Sequence, residues 1–536
     1  MGYIKQTKLH VKSVFTLCVL AVIWALHRAG VFSGDIVNAG GWSLVEQFLI
    51  TAIHPNLSQE FLLLTWEATL KTFAYAVCGT FISLAIAIVG GIFCSQVWWE
   101  SVLGVSGLPW LGVRAGLAIP RAIHELIWGL FFINIFGLDP LVAVLAIAIP
   151  FGAITAKVFS EIIDETPQKP FLALINSGVL PLNAFIYSLI PQAQTNLISY
   201  AFYRFECSIR AAAVLGIIGA GGLGYQILLS LQSLRYEEMW TLLIALVLLS
   251  GVTDFASAFV RRQIGAPSRL DLNRLKGINK KPPKTGVPRW AFLLTVMPII
   301  FSFWYVNADF SKLWTPRTGE LLIDVVQQAF PPDYSQLSEI LRLCGQTLAM
   351  SILAIAFAGC GGIVFSFLAA NNLRLPGGIV TLVSARFFLL FTRAIPAPIW
   401  ALIFLFVLFP GILPGAIALG IHNLGILGRL MAEVTENLDE RLLKSLKALG
   451  ASGPQVFLYG VLPQTMPKFI AYILYRWEVC IRATVIVGLV GAGGLGRLLT
   501  EQLSSFDYPG VVATLVCFIC LTFLVDIVSA TIRRML

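Results

Sequence analysis

Charged side chains are scarce in this chain. Asp, Glu, Lys and Arg make up 12% of its 536 residues, against roughly 25% in soluble domains. That scarcity, set against 57% apolar residues, excludes a string of soluble domains. Apolar runs near the ~20 residues needed to cross a bilayer recur along the whole length, as at 72–93, 241–260 and 510–531. The composition is that of a polytopic helical membrane protein.

Two further absences narrow the chemistry. No complete P-loop occurs; the stretch from Gly491 through Gly496-Arg497-Leu498 lacks the Lys and the Ser or Thr. Nor does a nucleophile–base pair or a metal-ligand cluster stand out. The nine cysteines are scattered, and the Cys517/Cys520 pair lies inside an apolar run with no second pair beside it. No catalytic residue, no metal site and no cofactor of the chain's own is expected.

What charge there is follows membrane topology, and its formal excess of +9 gives no reason to expect nucleic acid. Lys5, Lys8 and Lys12 precede the first apolar run. Arg261-Arg262 open a basic stretch that continues to Arg289, with Asp271 its single acid, and Arg533-Arg534 follow the last run. The positive-inside rule places all three regions in the cytoplasm, both termini included. Each half then holds an even number of spans.

The halves are copies of one another. Tyr203-Arg204-Phe205-Glu206 with Arg210 recurs as Tyr475-Arg476-Trp477-Glu478 with Arg482. Gly219, Gly221 and Gly224 recur as Gly491, Gly493 and Gly496, each pair 272 residues apart. Arg114/Arg386, Arg121/Arg393, Trp128/Trp400, Glu161/Glu433 and Asp254/Asp526 keep the same offset. The expected architecture is all-α with about 12 spans, arranged as two tandem six-helix units of like orientation. A parallel repeat is expected, not an inverted one. The expected division is 1–260, a basic cytoplasmic linker 261–289, and 290–536. The second span is expected near 72–93, the third from Arg121 to Phe136, and the fifth around the glycine-rich stretch.

Several polar positions are candidates. Glu206/Arg210 and Glu478/Arg482 are i, i+4 pairs in the favourable order, read as structural ion pairs or as a gate. Arg121 and Arg393 are either positive-inside anchors or part of an anion path. His124 is matched by Pro396, so no shared His role is expected. Asp254 and Asp526 are intramembrane acids within reach of the closing arginines. The glycine triplets fit a dinucleotide fingerprint only in spacing; inside a spanning helix they are read as close-packing positions. Between spans four and five of the second half, Leu442, Leu443, Leu446 and Leu449 fall at helical spacing, ahead of Gly450. An apolar stripe on such a helix needs a partner or a membrane surface.

That segment, with its acidic start at Glu433, its Lys-Ala-Leu-Gly-Ala ending (Ala448, Leu449, Gly450) and a Pro463 thirteen residues on, resembles the coupling segment of ABC importer permeases. Glu161, Gly178 and Pro191 keep the pattern in the first half, where Asn176-Ser177 replace Ala448-Leu449. The Tyr-Arg-Trp-Glu and glycine blocks, with Arg-Ala-Ile-Pro upstream, resemble permeases of phosphonate and phosphite importers, as two units fused in one chain. The resemblance implies a type I importer-like fold in the plasma (inner) membrane. It also implies two ABC ATPase partners carrying the ATP on the cytoplasmic side, an external binding protein, surrounding lipid, and a phosphorus oxyanion as solute. A permease for another solute such as an amino acid, or a secondary transporter needing no ATPase, are the alternatives.

Overall fold

The computed structural model describes residues 16–32, 36–105, 108–264, 289–373 and 378–535. Lys5, Lys8 and Lys12, and most of the basic linker, lie outside the described residues. Those described are mostly helical, with no named strand among them and one isolated bridge between Val37 and Leu408.

Among the described residues, six helices are long and apolar enough to cross a bilayer. They are α3 (Gln59–Cys94), α6 (Pro140–Asp164), α10 (Tyr236–Ile264), α13 (Leu337–Ala369), α16 (Ile412–Glu436) and α20 (Tyr508–Met535). Four more candidates are bent pairs, which brings the count to ten if each pair is one span. The expected twelve included a first span in each half. There the structure has two shorter apolar helices, α1 (Thr16–Arg28) and a stretch of α11 (Arg289–Val306).

The expected third span, Arg121 to Phe136, is the second arm of a bent helix pair, and the second half repeats the bend. α4 (Leu108–Ala122) meets α5 (Glu125–Phe136) at 82°, and α14 (Gly378–Ala394) meets α15 (Ala397–Val407) at 91°. The corner forms where His124 turns extended and caps α5, its Nδ1 accepting from the Leu126 N–H at 3.3 Å. Pro396 holds the matching corner, since proline is at home just before a helix and cannot continue one.

By packing, the chain divides into one unit of His54–Ile323 and another of Met1–Ile53 with Asp324–Leu536. These units are offset by one span from the sequence repeats. In the 54–323 unit, α3 and α6 run together through Ala74, Ala76, Ala143 and Ala146, all fully buried, because small side chains let helices close up. α11 joins them, with Val306 and Phe303 in the same cluster and the Phe303 ring edge-on to Phe81 at 5.7 Å. Lys312, just past α11, is ion-paired to Asp139, the cap of α6. In the other unit α1 takes the corresponding place, with Ala25 buried beside Met350, Ala354 and Ala416.

Candidate functional site

The expected docking segments are built alike. In the first half α6 runs on to Asp164, and α7 (Lys169–Asn176) follows. Asp164 accepts from Ser95 Oγ at 2.6 Å and from the Gln96 N–H at 3.2 Å, and Arg114 lies 3.5 Å from it. Arg114 also donates Nε to the Cys94 carbonyl, an orphan acceptor at the end of α3. In the second half Glu436 takes the place of Asp164, paired to Arg386 and accepting from the Asn371 N–H at 2.8 Å. A carboxylate–arginine clamp thus fixes the start of each segment to the neighbouring helix end. One turn earlier, Glu161 pairs with Lys157 at 3.6 Å and Glu433 with Arg429 at 2.9 Å.

Both segments end in the same motif. Gly178 (φ +85°) and Gly450 (φ +86°) adopt the left-handed conformation. Val179 N–H bonds back to Leu174 O, and Ala451 N–H to Leu446 O, closing a Schellman turn in each case. The leucine stripe of α17 (Glu440–Ala448) is split. Leu443 and Leu446 pack inward on the turn that carries Gly460, whereas Leu442 is exposed and Leu449 is 84% exposed. In the first half Phe171 is the fully buried anchor at the Leu443 position. Beside it a groove of about 630 Å³ is lined by Pro170, Ala173, Ser177, Tyr187, Pro191 and Gln192, among others. Pro191 and Pro463 stand in the first turns of α8 (Ile190–Leu215) and α18 (Leu462–Val487), where proline fits.

α8 and α18 carry the conserved-register ionic residues. Glu206 pairs with Arg261 at 3.4 Å and accepts from Ser257 Oγ at 2.6 Å. Glu478 pairs with Arg533 at 2.6 Å, and Arg533 also donates to Ser529 Oγ. The sequence suggested partners one turn along the same helix. The structure instead carries each glutamate to the arginine near the end of the last span of its sequence repeat. Arg482 donates Nε to the Glu478 carbonyl at 3.0 Å, and Arg210 donates to Cys207 Sγ with Asp254 as a neighbouring charge. Arg204 is buried, its guanidinium 4.6 Å over the Phe151 ring and bonded to Tyr200 Oη at 2.9 Å. At the matching place Asn423 accepts from Arg476. Arg121 and Arg393 stand in the last turns of α4 and α14, at the corners described above.

The glycine stretches break their helices; they do not lie within them. Gly219, Gly221 and Gly222 have φ of +101°, +86° and +77°, and α9 (Leu223–Gln232) starts beyond them at a 56° bend. Gly491, Gly493 and Gly494 do the same ahead of α19 (Gly494–Ser504), at 71°. Close approach is still required: a Cβ on Gly224 would lie 1.7 Å from the Ala213 carbonyl oxygen, and one on Gly496 would lie 2.4 Å from that of Val485. Thr72 Oγ1 accepts the Leu223 N–H at 2.8 Å and Thr347 Oγ1 the Leu495 N–H at 2.9 Å, anchoring each break to α3 or α13.

Sequence spacing singled out the glycines, the segment ends and the glutamates as candidates. It missed the clamps on Asp164 and Glu436 and the role of Arg261 and Arg533, although all four keep the 272-residue register. Among the described residues no cluster of His, Cys, Asp and Glu could hold a metal.

Known proteins resemble this chain in both halves. The profile of a family described as "Binding-protein-dependent transport system inner membrane component" matches residues 87–265 and again 362–535. A protein named phosphate-import permease protein PhnE, from Mycolicibacterium smegmatis, is 28% identical over 428 residues, 79% of this chain and 77% of its own length. Phosphite transport system permease protein PtxC of Stutzerimonas stutzeri is 39% identical over 237 residues, 44% of this chain and 85% of its own. Putative cryptic phosphonate transport system permease protein PhnE2 of Escherichia coli is 39% identical over 118 residues, 22% and 97% respectively.

Proposed function

Because the chain belongs to the binding-protein-dependent transport system inner membrane components, we propose that it is a fused two-unit permease of an ATP-driven importer for phosphonate or a related phosphorus oxyanion. The observation that carries this reading is the pair of matched segments, 161–178 and 433–450. Each is clamped at its start by a carboxylate–arginine pair and closed by a left-handed glycine, and each presents a short helix outward. Such a helix is a handle: force applied to it is passed directly into α8 or α18. Two ABC ATPases engage the handles from the cytoplasm and bind the ATP, and an external binding protein delivers the solute. The chain itself makes and breaks no covalent bond. It changes which side of the membrane the solute pathway faces, driven by partners that bind one state better than the other.

The functional residues on this reading are Glu161, Gly178, Pro191, Glu433, Ala448, Leu449, Gly450 and Pro463 for coupling. Glu206, Arg210, Glu478 and Arg482 gate, and Arg121 and Arg393 lie on the anion path. The two sequence repeats, 1–260 and 290–536, are the functional units, with 261–289 as cytoplasmic linker. Relatives named for phosphate, phosphite and phosphonate support the solute class. The deciding experiment is uptake of labelled methylphosphonate, phosphite and phosphate by cells expressing the chain with its binding protein, with and without the ATPase. Uptake of at least one that requires the ATPase is expected. Uptake that persists without the ATPase would point to a secondary carrier and overturn the proposal.

A further inference from the structure

The 54–323 unit holds a cavity of about 640 Å³ against the glycine break, and its wall includes Glu67, Lys71, Tyr75, Gly221, Tyr225 and Tyr305. It sits far from the docking segment. Lys71 precedes Cys94, the end of α3 beside the Asp164 clamp, by 23 residues, or ~35 Å at 1.5 Å per residue. Lys71 is half-buried, its Nζ 2.8 Å from where a Cβ on Gly221 would stand and 5.9 Å from the centre of the Tyr75 ring. Tyr75 is fixed in turn, its hydroxyl donating to the Ala220 carbonyl at 3.0 Å. Glu67 lies one helical turn from Lys71, yet no ion pair joins them. Asp139, at the start of α6, is taken by Lys312.

The second unit lacks this arrangement. Thr347 does there what Thr72 does here, and in that register Arg342 and Gln346 replace Glu67 and Lys71. Arg342 is engaged by Glu339. The ammonium and the carboxylate are therefore not part of the shared scaffold. Their cavity falls within the ~300–1,000 Å³ of small-molecule sites.

We propose that this cavity is a solute site of the 54–323 unit alone, in which Lys71 holds the oxyanion and Glu67 faces a cationic substituent on the same molecule. The inference rests on the transport reading for its ligand class. A partly buried ammonium with no carboxylate partner among the described residues gains from an arriving oxyanion, and the missing Cβ of Gly221 leaves the room in which the Lys71 ammonium stands. The unpaired Glu67 then favours an aminoalkyl phosphonate over a plain alkyl one.

The test uses the full chain with its ATPase and binding protein in proteoliposomes. Acetylation of Lys71 by an amine reagent, read by mass spectrometry, is expected to slow several-fold in millimolar 2-aminoethylphosphonate. Lys71→Gln is expected to lower uptake of both 2-aminoethylphosphonate and methylphosphonate by about tenfold or more, the scale of one charge-assisted hydrogen bond. ATP hydrolysis stimulated by the loaded binding protein should persist, and Lys71→Arg should restore uptake. Glu67→Gln should lower uptake of the amino compound and spare methylphosphonate. Unprotected acetylation, or full uptake by Lys71→Gln, overturns the site; equal loss of both solutes in Glu67→Gln overturns the role of Glu67. An unaltered chain with no ATP-dependent uptake sinks the transport reading instead, and the acetylation experiment on that same chain still decides the site.

Discussion

Glu206 and Arg261 are ion-paired at 3.4 Å across two helices, and Glu478 and Arg533 repeat the contact at 2.6 Å. The first pair is the more deeply placed, with side-chain exposures of 1% and 11% against 12% and 29%. Stranding one partner of a buried pair costs ~3–5 kcal/mol, because the survivor keeps its charge in a poorly solvated place. Glu206→Ala is therefore expected to lower the thermal unfolding temperature in detergent more than Glu478→Ala does. Equal shifts would mean that the difference in burial has no energetic weight.

Thr72 and Thr347 each accept the first N–H beyond a glycine break. Thr72→Val keeps the shape and removes the acceptor, leaving the Leu223 N–H buried and unpaired at a cost of ~1–3 kcal/mol. Thr72→Ser should retain most of the stability. Thermal unfolding of the two variants, side by side, checks it.

Gly224 and Gly112 separate crowding from composition. A Cβ at Gly224 meets the Ala213 carbonyl oxygen at 1.7 Å, whereas one at Gly112 meets nothing within 4 Å. Gly224→Ala is expected to reduce folded protein sharply. Gly112→Ala, in an exposed turn of α4, should be neutral or slightly stabilising, by up to ~1 kcal/mol from helix propensity. Yield of monodisperse protein on size exclusion distinguishes the two.

Leu449 is 84% exposed, so shortening it removes almost no contact within the chain. Leu449→Ser should leave thermal stability within ~0.5 kcal/mol, as surface changes do, while lowering ATP-dependent uptake. Unchanged uptake would exclude Leu449 from the docking surface.

Apolar runs made the long helices legible, and the 272-residue register made the repeat certain. Helix periodicity also found α17 and its glycine stop. The glycine break was not legible, because glycines that kink a helix and glycines that let helices touch have the same composition; only the positive φ at Gly219 and Gly491 separates them. The partner of Glu206 was misread for a related reason. Spacing of four reports a neighbour on one helix, whereas Arg261 reaches it through tertiary packing, 55 residues on. The corner at His124 falls near the start of the expected third span, but the bend angle there follows from packing and not from spacing.

The offset between repeats and packing units sets an order on synthesis. The 54–323 unit can close once residue 323 has emerged, whereas the other unit joins residues on both sides of it in the sequence. Helix α1 is therefore translated early and must wait, with Ala25 still uncovered, until α13 and α16 arrive hundreds of residues later. A ribosome stalled in the middle of the message would leave one unit whole and a lone hydrophobic helix in search of a host.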